Sequence, residues 1–246
     1  MVVIGALVLV LIVLLLLMAY LYAWHTTYRS APSPEIDLLE YLPEFDLYRF
    51  QSTLSVCTLI IPDPQGEALR SSDVELMAVY GSVITFQFPS PFCLLPHRRW
   101  MRRCRAVYRS VQDNYSGQII VYGRHTAAHF ALQLGATRVI LVNPYQSVVD
   151  QVIRTNVVHE HLYAGPGQIG AGLLVNKLTV TATEAAVMVM LDILSVDYPQ
   201  LQGRRVADQL GAPVLDMDEP DNLRLYRIGQ FILTGSIDLP HVPSRY

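Results

Sequence analysis

The chain is poor in the residues that mark several specialised functions. It has three cysteines in 246 residues, and Cys57, Cys93 and Cys104 show neither a C-x-x-C pair nor the spacing of a zinc site. Cys57 and Cys104 sit in apolar patterns and read as small core residues. Lysine is almost missing: Lys177 stands alone among 18 basic residues, a bias to which no function attaches. A net charge of −3 and a pI near 6.1 exclude a general nucleic-acid binder. No internal repeat or low-complexity tract follows the first segment.

What is abundant is apolar surface, 52% of all residues. Part of it is one run. Residues 2–24, VVIGALVLVLIVLLLLMAYLYAW, contain no charge and exceed the roughly 20 residues that cross a bilayer. Tyr20, Tyr22 and Trp24 gather at one end, as interfacial aromatics do. A cleaved signal peptide needs a basic start and a shorter apolar core of about 7–15 residues, and neither is present. The run is expected to be an uncleaved single-pass anchor whose partner is the lipid bilayer. Arg29, Arg49 and the later arginines all follow it, which favours a cytoplasmic C-terminal part.

Residues 25–52 carry Pro32, Pro34 and Pro43 among five carboxylates and read as an acidic tether, with room for a short helix over 36–41. The remaining domain, 53–246, is long enough for one full core. Its expected elements alternate: a strand over 56–61, a turn at PDPQGE (62–67), a helix over 72–80, a strand over 82–88, a long helix over 97–115. In that helix Trp100, Cys104, Val107, Tyr108 and Val111 share one face by their i, i+4, i+7, i+8, i+11 spacing. Arg98, Arg99, Arg102, Arg103, Arg105 and Arg109 lie mostly off it. They are either a solvated face or a contact for anionic headgroups or an acidic partner.

The most specific stretch is Gln118–Pro144. Ile119–Tyr122 is a buried-strand run ended by Gly123; 126–134 suits a helix with Gly135 at its C-cap; Val139–Val142 is a second buried strand closed by Asn143-Pro144. Two parallel strands joined by a helix make the fold class α/β. Tyr122-Gly123, Ala131-Leu132 and Leu134-Gly135-Ala136-Thr137-Arg138-Val139 together resemble the nucleophile elbow of the α/β-hydrolase superfamily, where G-x-S-x-G joins strand to helix. The resemblance implies a mostly parallel sheet flanked by helices. It puts His125 where the serine belongs, and Ala127 and Ala128 where two glycines sit.

The same resemblance locates the other parts. A cap or lid belongs at 145–184. Gln65 and Gly66 fall near the loop that supplies an oxyanion-hole amide, and Thr126 follows the elbow tip. The acid position falls on Asp197, with Asp192 second. The loop that carries the family's histidine is 216–222, where Asp221 or Asn222 stands instead. A hydrolase triad needs a nucleophile, a base and an orienting acid, so two of the three roles are vacant. The Gly165/Gly167/Gly170 pattern lacks the strand and helix of a nucleotide loop. His125 and His129, four apart, could share a metal only with a third ligand that is not evident. His159-Glu160-His161 is not H-E-x-x-H and reads as a polar loop; His241 could fold back as a displaced base.

No cofactor or metal is called for. The expected function is a membrane-anchored, catalytically inactive hydrolase-like module that binds or scaffolds an unknown protein or small molecule. The first alternative is an active esterase or acyl-transfer enzyme on lipid or glycan esters, built on His125 and Asp197. The second is a Rossmann-like nucleotide binder, against which Arg124, His125 and Thr126 stand at the glycine positions.

Overall fold

A computed structural model of the chain describes residues 2–27, 36–63, 69–87, 96–146, 180, 183–192 and 198–237. Expectations that fall elsewhere lie outside the described residues: Gln65 and Gly66, Asp197, most of the 145–184 cap, the 159–161 triplet and His241.

Helix α1 (Val2–Thr27) is unbroken and uncharged, and residues 4–18 are all exposed. Over the side chains that are described, no helix is long and apolar enough to cross a membrane. The helical form of the first segment is therefore present, and its place in a bilayer is taken up below as a proposal.

Eight strands form one sheet in the order β1-β2-β4-β3-β5-β6-β7-β8. They are β1 (Glu40–Leu42), β2 (Leu47–Phe50), β3 (Val56–Ile61), β4 (Ser82–Phe86), β5 (Gln118–Arg124), β6 (Arg138–Val142), β7 (Ala186–Leu191) and β8 (Val214–Asp216). From β4 to β8 every pairing is parallel, while β1–β2 and β2–β4 are antiparallel. The acidic tether thus ends sooner than its composition suggests. Residues 40–50 form a hairpin, turned at 43–46 with Asp46 at φ 53°. Leu47 is buried at the sheet end, and Arg103 donates to the Asp46 carboxylate at 2.9 Å. Prolines and carboxylates hid a strand only four residues long.

Side chains alternate across each parallel strand, and the alternation divides the core. Leu59, Ile61, Val121, Val139, Leu141, Val187, Val189 and Leu191 face one layer with α3 (Pro96–Asn114), α4 (Ala127–Leu132) and α5 (Tyr198–Leu210). Ile60, Ile120, Tyr122, Ile140, Val142, Met188 and Met190 face the other with α2 (Ser71–Ala78) and α6 (Asp221–Thr234). Cys57 and Cys104 are fully buried, and burial pushes the Cys57 thiol up to about 12.

This order argues against a dinucleotide fold that starts with the β5–α4–β6 unit, because β2, β4 and β3 already lie beside it. It also creates a switch point. The chain leaves β3 through α2 to reach β4 on one side, then crosses back to β5 on the other. Ligand crevices of open α/β sheets form outside the strand ends where order reverses in this way. The ends of β3 and β5 carry Asp63 and His125.

Candidate functional site

The elbow is built by close approach. A Cβ on Gly123 would stand 2.8 Å from the Ala127 carbonyl and 2.9 Å from the Ala128 nitrogen. Only glycine lets β5 run this near the helix that folds back over it. Ala127 and Ala128, 0% and 1% exposed, fill the two small positions. Between strand and helix His125 takes φ 50°, a left-handed conformation that a β-carbon disfavours. Its amide donates to the Val142 carbonyl at 3.0 Å, and its carbonyl accepts from Ala128 N at 3.2 Å. The backbone of the elbow is retained around a residue that is not serine.

The His125 ring is buried, 8% exposed, and packs edge-on to Tyr145 with centroids 5.8 Å apart. Its Nδ1 lies 4.0 Å from Oδ2 of Asp63, a carboxylate likewise buried just beyond β3. That is an ion-pair separation, longer than a hydrogen bond; such contacts are often loose before substrate is bound. A carboxylate facing Nδ1 favours the proton on that nitrogen and leaves the lone pair on Nε2. In the sequence Asp63 falls within the polar turn PDPQGE, where nothing local marks it as a partner of His125. The one signal it carries is an acid two residues after a strand whose last five positions are buried.

Next to the elbow lies a second feature that spacing could not reveal. Arg124 forks onto Asp73 of α2, with Nε–Oδ2 at 2.9 Å and Nη2–Oδ1 at 2.6 Å. Its Nη1 is 3.5 Å from Asp192, which also accepts from Arg70 at 2.9 Å. Burial works against the Arg124 charge, but the Tyr122 oxygen, the Asp73 bond and charge, and Asp192 hold its pKa above the usual arginine range. Asn143, at φ 44°, accepts the Asp192 amide on its Oδ1 and donates its own amide to Met190. Asp192, the second candidate for the acid, is thus bound into an arginine–carboxylate network that ties β5, β7 and α2 together.

The remaining candidates are dispersed. Thr126 is fully buried at the N-cap of α4. Asn222 is exposed in the first turn of α6, its Oδ1 accepting from Leu223 N. In the preceding loop each paired carboxylate meets an arginine: Asp216 with Arg204, Glu219 with Arg227, Asp221 with Arg224. Pairing, rather than proton transfer, accounts for that loop. His129 is buried within α4, and no group of three metal-binding side chains occurs among the described residues.

No protein-family model matches the chain, and no curated protein matches it. Solved structures do. A lipase/esterase from Lactobacillus plantarum superposes with a TM-score of 0.53 at 9% identity, covering 78% of this chain and 93% of its own. An α/β hydrolase enzyme from a lagoon-sediment metagenome of Mar Chica, Morocco, gives 0.52 at 11%, covering 79% and 98%. A carboxyl esterase from the fungus Tuber melanosporum gives 0.50 at 10%, covering 82% and 91%. At such identities the likeness is one of fold: this chain has an α/β-hydrolase-like architecture, with a mostly parallel sheet flanked by helices.

Proposed function

We propose that the chain is an ester-cleaving or acyl-transferring protein in which the His125 imidazole replaces the elbow serine and Asp63 orients it. The observation that carries this reading is a buried histidine held at positive φ, against a carboxylate, at the switch point of the sheet. Strain of this kind costs about 1–3 kcal/mol and persists where surrounding structure demands it, most often at functional sites. The chemistry is coherent with what is missing. A serine hydroxyl must lose its proton to a base, whereas neutral imidazole is already a nucleophile. Serine and base histidine can therefore be lost together. The Nε2 lone pair attacks the acyl carbonyl and the C–O bond breaks, giving an acyl-imidazolium and an alkoxide that takes its proton from solvent water and leaves hydroxide for the next step. Hydroxide then cleaves the acyl-imidazolium to a carboxylic acid and restores neutral His125. Residues 2–24 would hold this domain at a membrane, facing the cytoplasm, and lipid or glycan esters are the substrate class.

The test is hydrolysis of p-nitrophenyl acetate and butyrate by the full chain in detergent. The wild type should turn over, His125→Ala should fall to background, and Asp63→Asn should lose about ten- to a thousandfold through misorientation of the ring. His125→Ser should not restore the rate, having no base. Background rates in all four would support the second reading, a binding module without catalysis. Fold alone decides neither.

A further inference from the structure

We infer that the exposed arginine stripe of α3 docks the domain onto the phosphate headgroups of the anionic membrane in which α1 sits; this rests on the proposed anchor and not on the proposed catalysis. Six arginines lie between Arg98 and Arg109, and no acidic residue enters α3 before Asp113. The whole chain carries −3, so the rest of it is correspondingly acidic and repels such a surface. Among the described side chains, Arg102, Arg105 and Arg109 are exposed and recur at i, i+3, i+7, which is one face. None of the three has an ion pair or hydrogen bond among the described residues. Arg103 differs: it turns to the hairpin, bonding Asp46 and lying 5.8 Å from the Phe86 ring centre. Opposite the stripe, Trp100, Cys104, Val107, Tyr108 and Val111 are buried, so α3 cannot roll and its charged face is fixed outward.

A face kept for solubility mixes both signs along its length; this one shows three exposed arginines before its first acid, Asp113, one turn beyond Arg109. Arginine matches phosphate through its planar fork, where lysine offers a point charge. The chain makes weak binding sufficient. Twelve residues separate Thr27 from Glu40, so the sheet stands no more than roughly 45 Å from the end of α1. A tethered surface meets the headgroups at high effective concentration, and modest attraction decides its orientation.

The experiment uses the full chain in nanodiscs of phosphatidylcholine alone and of phosphatidylcholine with 30% phosphatidylserine. A dye is placed at exposed Ala106→Cys, beside the stripe, in a Cys93→Ser background; a quencher is carried on a lipid headgroup. Quenching should be strong with phosphatidylserine at low salt and weak with phosphatidylcholine. Docking should differ on the order of a hundredfold between them, and 0.5 M salt should abolish the difference. Arg102→Glu/Arg105→Glu/Arg109→Glu should remove the difference while leaving incorporation and thermal unfolding intact. A dye at exposed Asp208→Cys reports a general approach that is not specific to α3. Equal quenching in both discs, or an effect that survives the triple variant, overturns the docking but leaves the anchor. A chain that stays out of the discs overturns both. Selectivity for soluble heparin with none for phosphatidylserine assigns the stripe to a soluble acidic partner instead.

Discussion

Arg124 and Asp73 meet in a two-bond fork with 9% and 3% of their side chains exposed. Removing one partner of a buried pair strands the other's charge, which costs about 3–5 kcal/mol. Asp73→Ala should lose that much in urea unfolding. Replacing both, Asp73→Leu with Arg124→Met, should recover most of it. A loss below about 1 kcal/mol in the single variant would show that the pair is solvated.

The strain at His125 predicts a reversal. Alanine ordinarily exceeds glycine in stability, because glycine loses more chain entropy on folding. At φ 50° the order inverts. His125→Gly should be more stable than His125→Ala by about 1 kcal/mol, and both should be inactive on p-nitrophenyl esters. Thermal unfolding of the two side by side is the check; alanine above glycine would mean a relaxed elbow.

Gly123 is predicted to tolerate no side chain. The atoms a Cβ would meet are backbone, and they cannot rotate away. Gly123→Ala should force β5 from α4 and cost about 1–3 kcal/mol or more, with ester turnover lost as His125 shifts. A variant of unchanged melting temperature and rate would contradict the packing described.

Alkali should destabilise the fold. Burial pushes the Cys57 thiol up to about 12, against an ordinary value near 9. The unfolded chain releases that proton first, so stability is full below about pH 9 and falls as pH rises toward 12. Burial raises Tyr80 to about 12 as well, and its hydroxyl donates to the Leu225 carbonyl at 2.7 Å. Urea midpoints at pH 8, 10 and 11 should decline less steeply in Cys57→Ala than in wild type. Parallel declines would remove Cys57 from the account.

What the sequence made legible follows from how far each signal travels along the chain. Ile119–Tyr122 and Val139–Val142 are read from neighbours in sequence, and Gly123 and Gly135 mark breaks that backbone geometry needs locally. The order of strands and helices from 56 to 142 was accessible on that basis. The hairpin at 40–50 was not: Leu47 and Phe50 are two apolar residues among Pro43, Glu44 and Asp46, and only pairing with β4 makes them a strand. The site was half legible. His125 stood at its place by resemblance, but Asp63 lies 62 positions earlier and Asp73 lies 51 before Arg124. Contacts across such distances come from strand order, which no local pattern records.

Among the described residues the sheet ends on both sides in a strand of three residues, β1 and β8. Each offers an open ladder of about 10 Å. Unpaired strand edges are where copies of a protein zip together into aggregates, and these are too short to seed such growth. Among the described residues these two edges are therefore poor seeds for strand-to-strand pairing between copies held side by side.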